Sequence, residues 1–540
     1  MIAKREGGDR VLLAAVMAVL LAAVSWPVAA RGEDPPAPPA TRAADRAEEA
    51  RRLHEQGEEY ATQDRHAEAI RAYQAAVAAD PSLGPEIAPS LGAQLLWADR
   101  TADALPVLEA AVARNPGDLE ARKHLALAYR RTDRLDRAER LSRRNLAEDP
   151  GDTEERNGLA IALQWQGRER ESIVEFERVL AAKPDDPEAL LGLSRSHLEM
   201  DLPEDAERYA TRAAAADPKS AEAAEQLEKV RRRLARHIEG EVRAIRDTDR
   251  LSLFDLSLGV HVRPSRGLDL GATARELFFR QGGPEKDGNI DGEDSVDGTA
   301  GAMSLAYRNG PFLALRGSAG VARYDVAGFR PWTASAGATF FPGDLWRIAL
   351  DWERAPWDTI LSLQNHVTVD TVSASFTRAI PWKTMINASA SLLIHRNENG
   401  TGQPRGNRGQ RYGIGLDRRL YLHGDVTRLT GLVRLGYLGF RDDLDVGIYD
   451  PVRQTTQEVG LDGRWAFRPR WEAFGTAMAG AQQEKGQGGS PTYSLEAGVD
   501  REAGAAGRIT LGAFVADSSA AGREGGYRRY GGYLRLRVPF

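Results

Sequence analysis

Two groups of polar residues have types and spacings that could support chemistry. The first is Asp287, Asn289 and Asp291, which place oxygen ligands at positions one, three and five of a loop, as calcium-binding loops do. The bidentate glutamate expected at position twelve is absent, because Gly298 stands there. The sequence therefore favours a solvated loop over a calcium site, and we predict no cofactor.

The second group is Asp255, Ser257 and His261, which are the side-chain types of a nucleophilic triad. All three lie on one face of a predicted strand, where residues two apart stand about 7 Å from each other. They cannot form a triad's hydrogen-bond chain alone. The sequence contains no HExxH and no GxSxG motif. We predict that the chain is not an enzyme, with a barrel-embedded enzyme as an alternative.

The first 30 residues have the pattern of a removable signal peptide. A basic start is followed by the apolar stretch from Val11 to Val24, and small residues end at Ala30, where we place the cleavage site. A retained anchor helix is the alternative. Residues 31–44 are rich in Pro and Ala and predict an extended linker. The chain has no cysteine, which excludes disulfides and thiolate metal sites, and secretion argues against a nucleic-acid partner.

Residues 45–238 have a helical composition that is interrupted at a fixed period. Five prolines recur at spacings of 35, 34, 34 and 34 residues: Pro81, Pro116, Pro150, Pro184 and Pro218. Small residues recur 24 and 12 positions before each proline, where two helices must approach closely. This register resembles the tetratricopeptide repeat, a helix–turn–helix unit that stacks into a solenoid. We predict about five repeats and a capping helix from Ala221 to about His237.

Four residues that follow the prolines should cap the next helix at its N-terminus: Asp118, Asp152, Asp186 and Ser220. Such solenoids usually bind another protein in their concave groove. The repeat geometry gives these groove candidates, for which simple solvation is the alternative: His54, Glu58, Lys123, Arg130, Asn157, Gln164 and Arg195.

From residue 239 to Phe540 the apolar residues alternate with period two. Segment 346–353, for example, places Trp, Ile, Leu and Trp on one face and charged residues mostly on the other. Short turns alternate with long polar loops, as in outer-membrane barrels, where the apolar face contacts lipid and the polar face lines a wet lumen. Aromatic residues near strand ends are expected to form an interfacial girdle: Phe278, Phe279, Tyr324, Trp332, Phe340, Phe341, Trp346, Trp357, Trp382, Tyr421 and Trp471.

Strand parity sets the number of strands. Fifteen clear segments lie between Leu251 and Phe540, and a further strand around residues 241–245 must precede them to keep the number even. We therefore predict an antiparallel transmembrane barrel of about 16 strands. The alternation predicts these lumen-facing residues: Asp255, His261, Arg275, Arg316, Arg347, Asp351, Glu353, Arg434, Arg535 and Arg537. Their mixed charge suits a neutral or weakly charged glycan, or a network of ion pairs that plugs the lumen.

A repeat solenoid followed by such a barrel resembles the exopolysaccharide export porins, a family that includes the porins for poly-β-1,6-N-acetylglucosamine and for cellulose. The repeat register, the segment from Trp352 to Arg378, the Tyr449-Asp450-Pro451 motif and the terminal Phe540 carry the resemblance. The chain departs from the family in having only about five repeats.

The resemblance implies an outer-membrane porin that exports an extracellular polysaccharide. It also implies a periplasmic solenoid that docks periplasmic or inner-membrane polysaccharide assembly proteins. Besides the lipid bilayer, the terminal Phe540 implies the barrel-insertion machinery as a partner. The alternative is a plugged outer-membrane anchor or adhesin that only presents the repeats.

Overall fold

The computed structural model describes residues 39–248, 250–282, 285–286, 289–290, 294–308, 310–326, 328–357, 359–380, 383–397, 406–423, 427–442, 444, 451–486, 488–504, 507–518 and 527–540. The expected signal peptide lies outside these residues, as do residues 31–38 of the expected linker. Asp287 and Asp291 of the candidate calcium loop and Tyr449 and Asp450 of the loop motif also lie outside them. The side chain of Asn289 is likewise not described.

The chain divides into two compact units, and the boundary falls after His124. The helices of the first unit are α1 (Pro39–Thr62), α2 (His66–Ala79), α3 (Gly84–Trp97), α4 (Thr101–Arg114) and the start of α5 (Leu119–Arg131). Tyr73 and Ile87 are buried in its core. A Cβ on Gly92 would lie 2.4 Å from the side chain of Leu108, so the small residues of the repeat register permit close helix packing.

The second unit contains the remaining helices and the barrel. The helices are α6 (Leu135–Glu148), α7 (Thr153–Trp165), α8 (Glu169–Ala182), α9 (Pro187–Glu199), α10 (Pro203–Ala216) and α11 (Ala221–Leu234). Phe176, Leu190 and Leu193 are fully buried among α7, α8 and α9. A Cβ on Gly192 would lie 2.1 Å from the ring of Phe176.

The expected helix caps are confirmed. The side chains of Asp152, Asp186 and Ser220 accept hydrogen bonds from the backbone N–H three residues later, and Asp118 accepts one from the N–H of Ala121 at 3.0 Å. A carboxylate or hydroxyl in this position satisfies a backbone donor that the helix cannot. Helices α1 and α2, α3 and α4, α7 and α8, and α9 and α10 pack as pairs, and α11 packs against α10.

Sixteen strands form the barrel. They are β1 (His237–Asp247), β2 (Leu251–Ser265), β3 (Leu268–Gln281), β4 (Asp294–Tyr307), β5 (Leu313–Tyr324), β6 (Trp332–Gly343), β7 (Trp346–Pro356), β8 (Val367–Ile380), β9 (Thr384–Asn397), β10 (Gly406–His423), β11 (Thr427–Phe440), β12 (Gln454–Arg468), β13 (Trp471–Glu484), β14 (Ser490–Ala503), β15 (Gly507–Ser518) and β16 (Tyr527–Pro539). Each strand pairs antiparallel with its sequence neighbours, and β1 closes the cylinder against β16.

The closing seam joins the first strand to the last along its whole length. His237 pairs with Pro539 and Glu241 with Arg535. The additional strand required by parity is therefore confirmed, as is the expected fold class of a tetratricopeptide solenoid followed by an antiparallel barrel of 16 strands. The seam leaves no open strand edge, which a lipid-embedded sheet requires.

The pleat of the strands separates an apolar exterior from a polar interior. Leu256, Leu258 and Val260 of β2 are exposed, as are Leu495 of β14 and Leu511 of β15. Residues of the opposite parity are mainly Ser, Thr, Arg, Asp and Glu. An apolar exterior around a polar interior is the surface of a membrane-embedded barrel. No helix in the described part of the chain is long and apolar enough to cross a bilayer.

Three details differ from the sequence expectations. Helix α11 ends at Leu234 and β1 begins at His237, so the capping helix is shorter than expected. Helix α1 begins at Pro39, inside the segment expected to be an extended linker. Three girdle candidates do not belong to an interfacial girdle: Phe279 and Tyr324 are buried in an inward-facing cluster, and Trp357 packs inward against Val367 and His395.

Candidate functional site

All ten lumen candidates lie on the strand faces opposite to the exposed apolar residues. On β2, for example, Asp255 and His261 alternate with the exposed Leu256, Leu258 and Val260. The structure brings several candidates together in ion pairs. Arg275 donates to Asp255 at 2.7 Å and Arg316 to Asp351 at 2.6 Å. His261 stacks on His237 at 4.8 Å between ring centroids.

Other candidates pair with residues that the sequence analysis did not single out. Arg535 donates to Glu241 at 2.5 Å, Arg537 lies 3.5 Å from Glu239, and Arg434 pairs with Asp417. Glu241 and Arg535 stand directly opposite each other in the closing seam. The register of β1 against β16 therefore identifies Glu241 as the partner of Arg535. Most of these ion pairs join neighbouring strands, whereas Arg316 on β5 reaches across β6 to Asp351 on β7, and together they rigidify the wall.

The two ends of the barrel differ in their connections. The loop rim is the end that carries the connections β1–β2, β3–β4 and so on to β15–β16. The short-turn rim is the other end, where the turns β2–β3 to β14–β15 lie and where residues 237 and 539 stand.

An apolar cluster narrows the lumen at the loop rim. The β7–β8 connection forms a short helix, α12 (Ile360–Gln364), and its Ile360 and Leu363 are 1% and 0% exposed. They pack with inward-facing residues of β2 to β5, which we call the loop-rim cluster: Leu251, Leu277, Phe279, Val296, Ala322 and Tyr324. Phe329 of the β5–β6 connection joins this cluster and stacks on His366 at 4.7 Å. Two connections therefore fold inward.

A second inward-facing group extends the closure across the same end. The ring of His395 on β9 lies 4.8 Å from Phe440 and 5.6 Å from Trp357. Val367 packs against Trp357 and Leu444. The loop rim is thus lined by apolar contacts, whereas the rest of the lumen is polar. The sequence analysis missed this feature.

Helix α8 is docked on the short-turn rim through one arginine. The guanidinium of Arg170 lies 3.3 Å from the carboxylate of Asp344, in the β6–β7 turn. It also donates to the carbonyl oxygens of Pro311 and Phe341 at 2.7 and 2.6 Å and lies 4.4 Å above the ring of Phe312. Asp344 in turn accepts the backbone N–H of Arg170 at 2.9 Å. A barrel carboxylate thereby caps a solenoid helix.

Further turns of the same rim contact the second unit's helices. Glu204 accepts the N–H of Gly267 in the β2–β3 turn at 3.1 Å, and Asp205 pairs with Arg266 of that turn. Other pairs join α11 to β14 and the α5–α6 connection to the β8–β9 turn: Arg232 with Glu502 at 3.2 Å, and Asp133 with Lys383. The contacts are spread along the rim, which fixes the orientation of these helices on the barrel.

The interface contains a buried carboxylate with an altered acidity. Burial, together with the nearby charges of Glu199 and Asp344, raises the pKa of Glu169 to about 8, although the Ser196 hydroxyl partly opposes this. Burial likewise raises the pKa of Asp344. Glu169 is therefore protonated at neutral pH, and its ionisation places a second negative charge beside Asp344.

This arrangement predicts that the free energy of unfolding of these helices falls as the pH rises. An unfolded glutamate titrates near 4.5, so the folded state holds a proton that the unfolded state releases as the pH rises from about 4.5 to about 8. Stability should fall across this window and then level off. We expect Glu169→Gln to remove the contribution of Glu169 to this decline, on the order of a few kcal/mol at pH 9, and to leave the contribution of Asp344. Unfolding of the helices, followed by circular dichroism in detergent from pH 5 to 9, measures it. The exposed Glu177→Gln on the same helix is the control, and an unchanged slope in Glu169→Gln would contradict the prediction.

The groove candidates contact neighbouring helices or residues of their own helix. In the first unit, Glu58 accepts the hydroxyl of Tyr73 at 2.8 Å and lies 3.5 Å from His54, and Lys123 pairs with Glu120 at 2.8 Å. In the second unit the contacts cross from repeat to repeat.

Asn157 donates to Asp186 at 3.0 Å, and Gln164 donates to Ser196 at 2.8 Å. Arg195 pairs with Glu222. Burial lowers the pKa of Arg130, which lies against Gly158. These side chains hold successive repeats in register, and their role toward a partner remains a prediction.

No group of three or more His, Asp or Glu side chains in the described residues could hold a metal ion. The described part of the chain combines helices in the tetratricopeptide-repeat register with a closed, 16-stranded antiparallel barrel. Residues 95–160 and 166–229 match the family model for the tetratricopeptide repeat. No curated protein matches the chain.

Solved structures resemble parts of the chain. A structure described as a bacterial polysaccharide outer membrane secretin is similar with a TM-score of 0.45 and 14% identity, over 56% of this chain and 98% of that one. A tetratricopeptide repeat protein from Parabacteroides merdae ATCC 43184 gives a TM-score of 0.31 and 15% identity over 34% of this chain and 72% of that one. YrrB, a tetratricopeptide repeat protein with an unusual peptide-binding site, gives 0.30 and 17% over 35% of this chain and 97% of that one.

Proposed function

We propose that the chain is an outer-membrane porin that exports an extracellular polysaccharide. The observation that carries the proposal is the closed barrel of 16 strands with an apolar exterior and a polar interior. A barrel of this size has room for an aqueous channel. In this role the lumen catalyses no reaction, and its polar residues line the path of the polymer.

The repeats supply the other half of the proposed function. Helices α8 and α10 contact the short-turn rim. In outer-membrane barrels the short turns face the periplasm. We place the repeats in the periplasm, at the entrance of the barrel. There they would dock the periplasmic or inner-membrane proteins that assemble the polysaccharide, because repeat solenoids present extended binding surfaces.

The experiment is deletion of the encoding gene in its own host, followed by fractionation of cell-associated and released polysaccharide. We expect surface polysaccharide to fall by at least about tenfold while the polymer or its fragments accumulate in the periplasm, because the outer membrane does not pass a hydrated polymer. The full chain should restore export. Unchanged surface polysaccharide, or loss of a lipid or protein modification instead, would contradict the proposal.

A second candidate is a plugged anchor that only presents the repeats. The apolar loop-rim cluster favours it, since α12 fills part of the lumen. The two candidates differ in conductance: an anchor has no conducting state, whereas an exporter must have one. Planar bilayer recordings of the purified chain that carries Ile360→Asn and Leu363→Asn separate them, because these changes release the loop-rim cluster.

A further inference from the structure

The outer surface of the barrel carries a row of arginines at the loop rim. Each has the outward parity of exposed apolar residues such as Val321 on β5 and Leu392 on β9. Each also lies among the last three residues of its strand at that rim. We call these seven residues the arginine belt: Arg246 of β1, Arg280 of β3, Arg323 of β5, Arg354 of β7, Arg396 of β9, Arg408 of β10 and Arg528 of β16.

The opposite end of the outer surface is largely apolar. Exposed outward residues near the short-turn ends of the strands include Leu313, Ile348 and Val538. Outward arginines at this end lie against tryptophan rings: Arg378 over Trp346 at 4.3 Å and Arg501 over Trp471 at 5.1 Å. The outward positive charge of the barrel is therefore concentrated at the loop rim.

Three outward aspartates near the same strand ends offset part of this charge. Asp370 is shared, because Arg354 lies 3.2 Å from it and Arg396 lies 2.8 Å from it. The other two pairs are Asp297 with Arg280 and Asp517 with Arg528. Seven guanidinium groups against three carboxylates leave an excess of four positive charges on this band.

Three members of the belt are free to bind something else. Arg246, Arg323 and Arg408 are exposed, and none of them has a carboxylate partner among the described residues. They lie on β1, β5 and β10, so they are spread around the loop rim rather than gathered at one point.

An apolar groove lies beside Arg246 on the closing seam. Its floor is formed by Ala244 of β1 and Gly532 of β16, which stand opposite each other in the pairing of the two strands. The rings of Tyr530 and Phe254 flank it on either side of β1. The groove has a volume of about 460 Å³, and Arg246 lines its end nearest the loop rim.

The sign of the belt points to its ligand. A charged side chain on the lipid face of a barrel costs least near the membrane interface, which accounts for the depth of the belt. Depth does not account for its sign, because aspartate and glutamate cost less than arginine on that face. A guanidinium group matches a phosphate group through two parallel N–H···O bonds. Phosphate groups lie at this depth in the headgroups of anionic lipids.

We propose that the arginine belt binds the phosphate groups of anionic lipids around the loop rim, and that the groove beside Arg246 seats an acyl chain of one such lipid. With the repeats in the periplasm, these lipids belong to the outer leaflet. The inference goes beyond polysaccharide export and does not depend on it, because it requires only that the barrel spans the membrane. A lipid in the groove contacts both β1 and β16.

The test measures lipid binding to the full chain in detergent by native mass spectrometry. Two probes carry the same acyl chains, dioleoylphosphatidic acid with a phosphate group and dioleoylglycerol without one. We expect phosphatidic acid to bind at least about tenfold more tightly. Inorganic phosphate at the same concentration should leave its binding unchanged, because the headgroup and the acyl chains bind together.

Variants at the two ends of the barrel assign the effect to the belt. The triple variant Arg246→Gln, Arg323→Gln and Arg408→Gln should weaken the binding of phosphatidic acid by about tenfold. The control is Arg378→Gln with Arg501→Gln, which removes outward arginines from the short-turn end and should change binding by less than about twofold. Heat-dependent gel mobility checks that each variant has formed a barrel.

A further pair of variants tests the groove. Ala244→Leu fills its floor and should weaken the binding of phosphatidic acid by about threefold through a steric clash with the acyl chain. Its control is Ala479→Leu, which makes the same change at an exposed outward position of β13 and should leave binding unchanged.

The outcomes separate the belt from the groove. Equal binding of phosphatidic acid and dioleoylglycerol would overturn the belt, as would equal losses in the triple variant and its control. Competition by inorganic phosphate would identify a free phosphate site and overturn the assignment to lipid. If Ala244→Leu and Ala479→Leu bind phosphatidic acid alike, the groove does not seat an acyl chain. None of these results bears on polysaccharide export, which the gene deletion tests separately.

Discussion

Replacing Ile360 and Leu363 with asparagine is expected to raise the single-channel conductance of the barrel by at least about tenfold, because a cylinder of this strand number can hold an aqueous channel. Both side chains are fully buried against Phe279, Val296 and other inward residues at the loop rim. Apolar constrictions exclude water and ions, whereas polar ones are wetted. Asparagine amide groups would lack hydrogen-bond partners inside the apolar cluster, and this cost would drive α12 toward solvent.

The matched control for this experiment is Leu361→Asn on the same helix. Leu361 is 42% exposed, so its replacement removes an apolar side chain without disturbing the cluster. We expect its conductance to equal that of the unmodified chain. A large conductance in the unmodified chain would show that the cluster does not close the lumen. No conductance in the double variant would favour the plugged anchor.

Replacing Arg170 with glutamate is expected to release α8 from the short-turn rim. The change places a carboxylate beside Asp344, which is 10% exposed at its side chain, and removes the donors to Pro311 and Phe341. Arg170 and Asp344 form a half-buried ion pair, and replacing it with two like charges costs on the order of 3 kcal/mol. Amide hydrogen exchange in residues 169–172 should therefore accelerate by at least about 100-fold. A glutamate in the first turn stabilises an isolated helix. Any loss of protection from exchange must therefore come from the lost contacts with the short-turn rim.

Arg178→Glu provides the comparison for this second experiment. Arg178 lies on the same helix, is 58% exposed at its side chain and pairs with Glu175 of its own helix. We expect little change in exchange at residues 169–172. Equal exchange rates in the two variants would mean that the rim contacts of Arg170 do not hold the helix.

The repeats were predictable because the same residue types recur at equivalent positions of each repeat. A proline, a capping residue and small residues at the helix crossings recur at a fixed spacing. Asp152 and Asp186 cap helices where the spacing requires. The first spacing is longer by one residue, and the extra residue lies in α3, which has 14 residues where the equivalent helices α5, α7 and α9 have 13.

The strands were predictable for a different reason. Alternation identifies which face of a strand is wet, and the even number of strands required the one that became β1. All ten lumen candidates consequently have the inward parity. Their partners were harder to find, because an ion pair such as Arg316 with Asp351 depends on pairing registers as well as parity.

Neither the closure of the loop rim nor the docking of α8 could be derived from the sequence. Helix α12 has five residues, too few to show a helical period, and nothing local distinguishes a loop that folds inward from one that stays in solvent. Phe279 and Tyr324 look like girdle residues until α12 covers them. Arg170 and Asp344 are far apart in sequence, so only the folded chain brings them together.

The junction between helix and barrel has a mechanical consequence. Only two residues, Ala235 and Arg236, separate α11 from β1, and the carbonyl of Arg236 accepts the N–H of Phe540 at 3.0 Å. Tension applied to α11 by a bound protein would therefore be transmitted directly to the paired strands β1 and β16, because no flexible linker lies between them. Such a pull would act on the pairing of β1 with β16, which closes the cylinder.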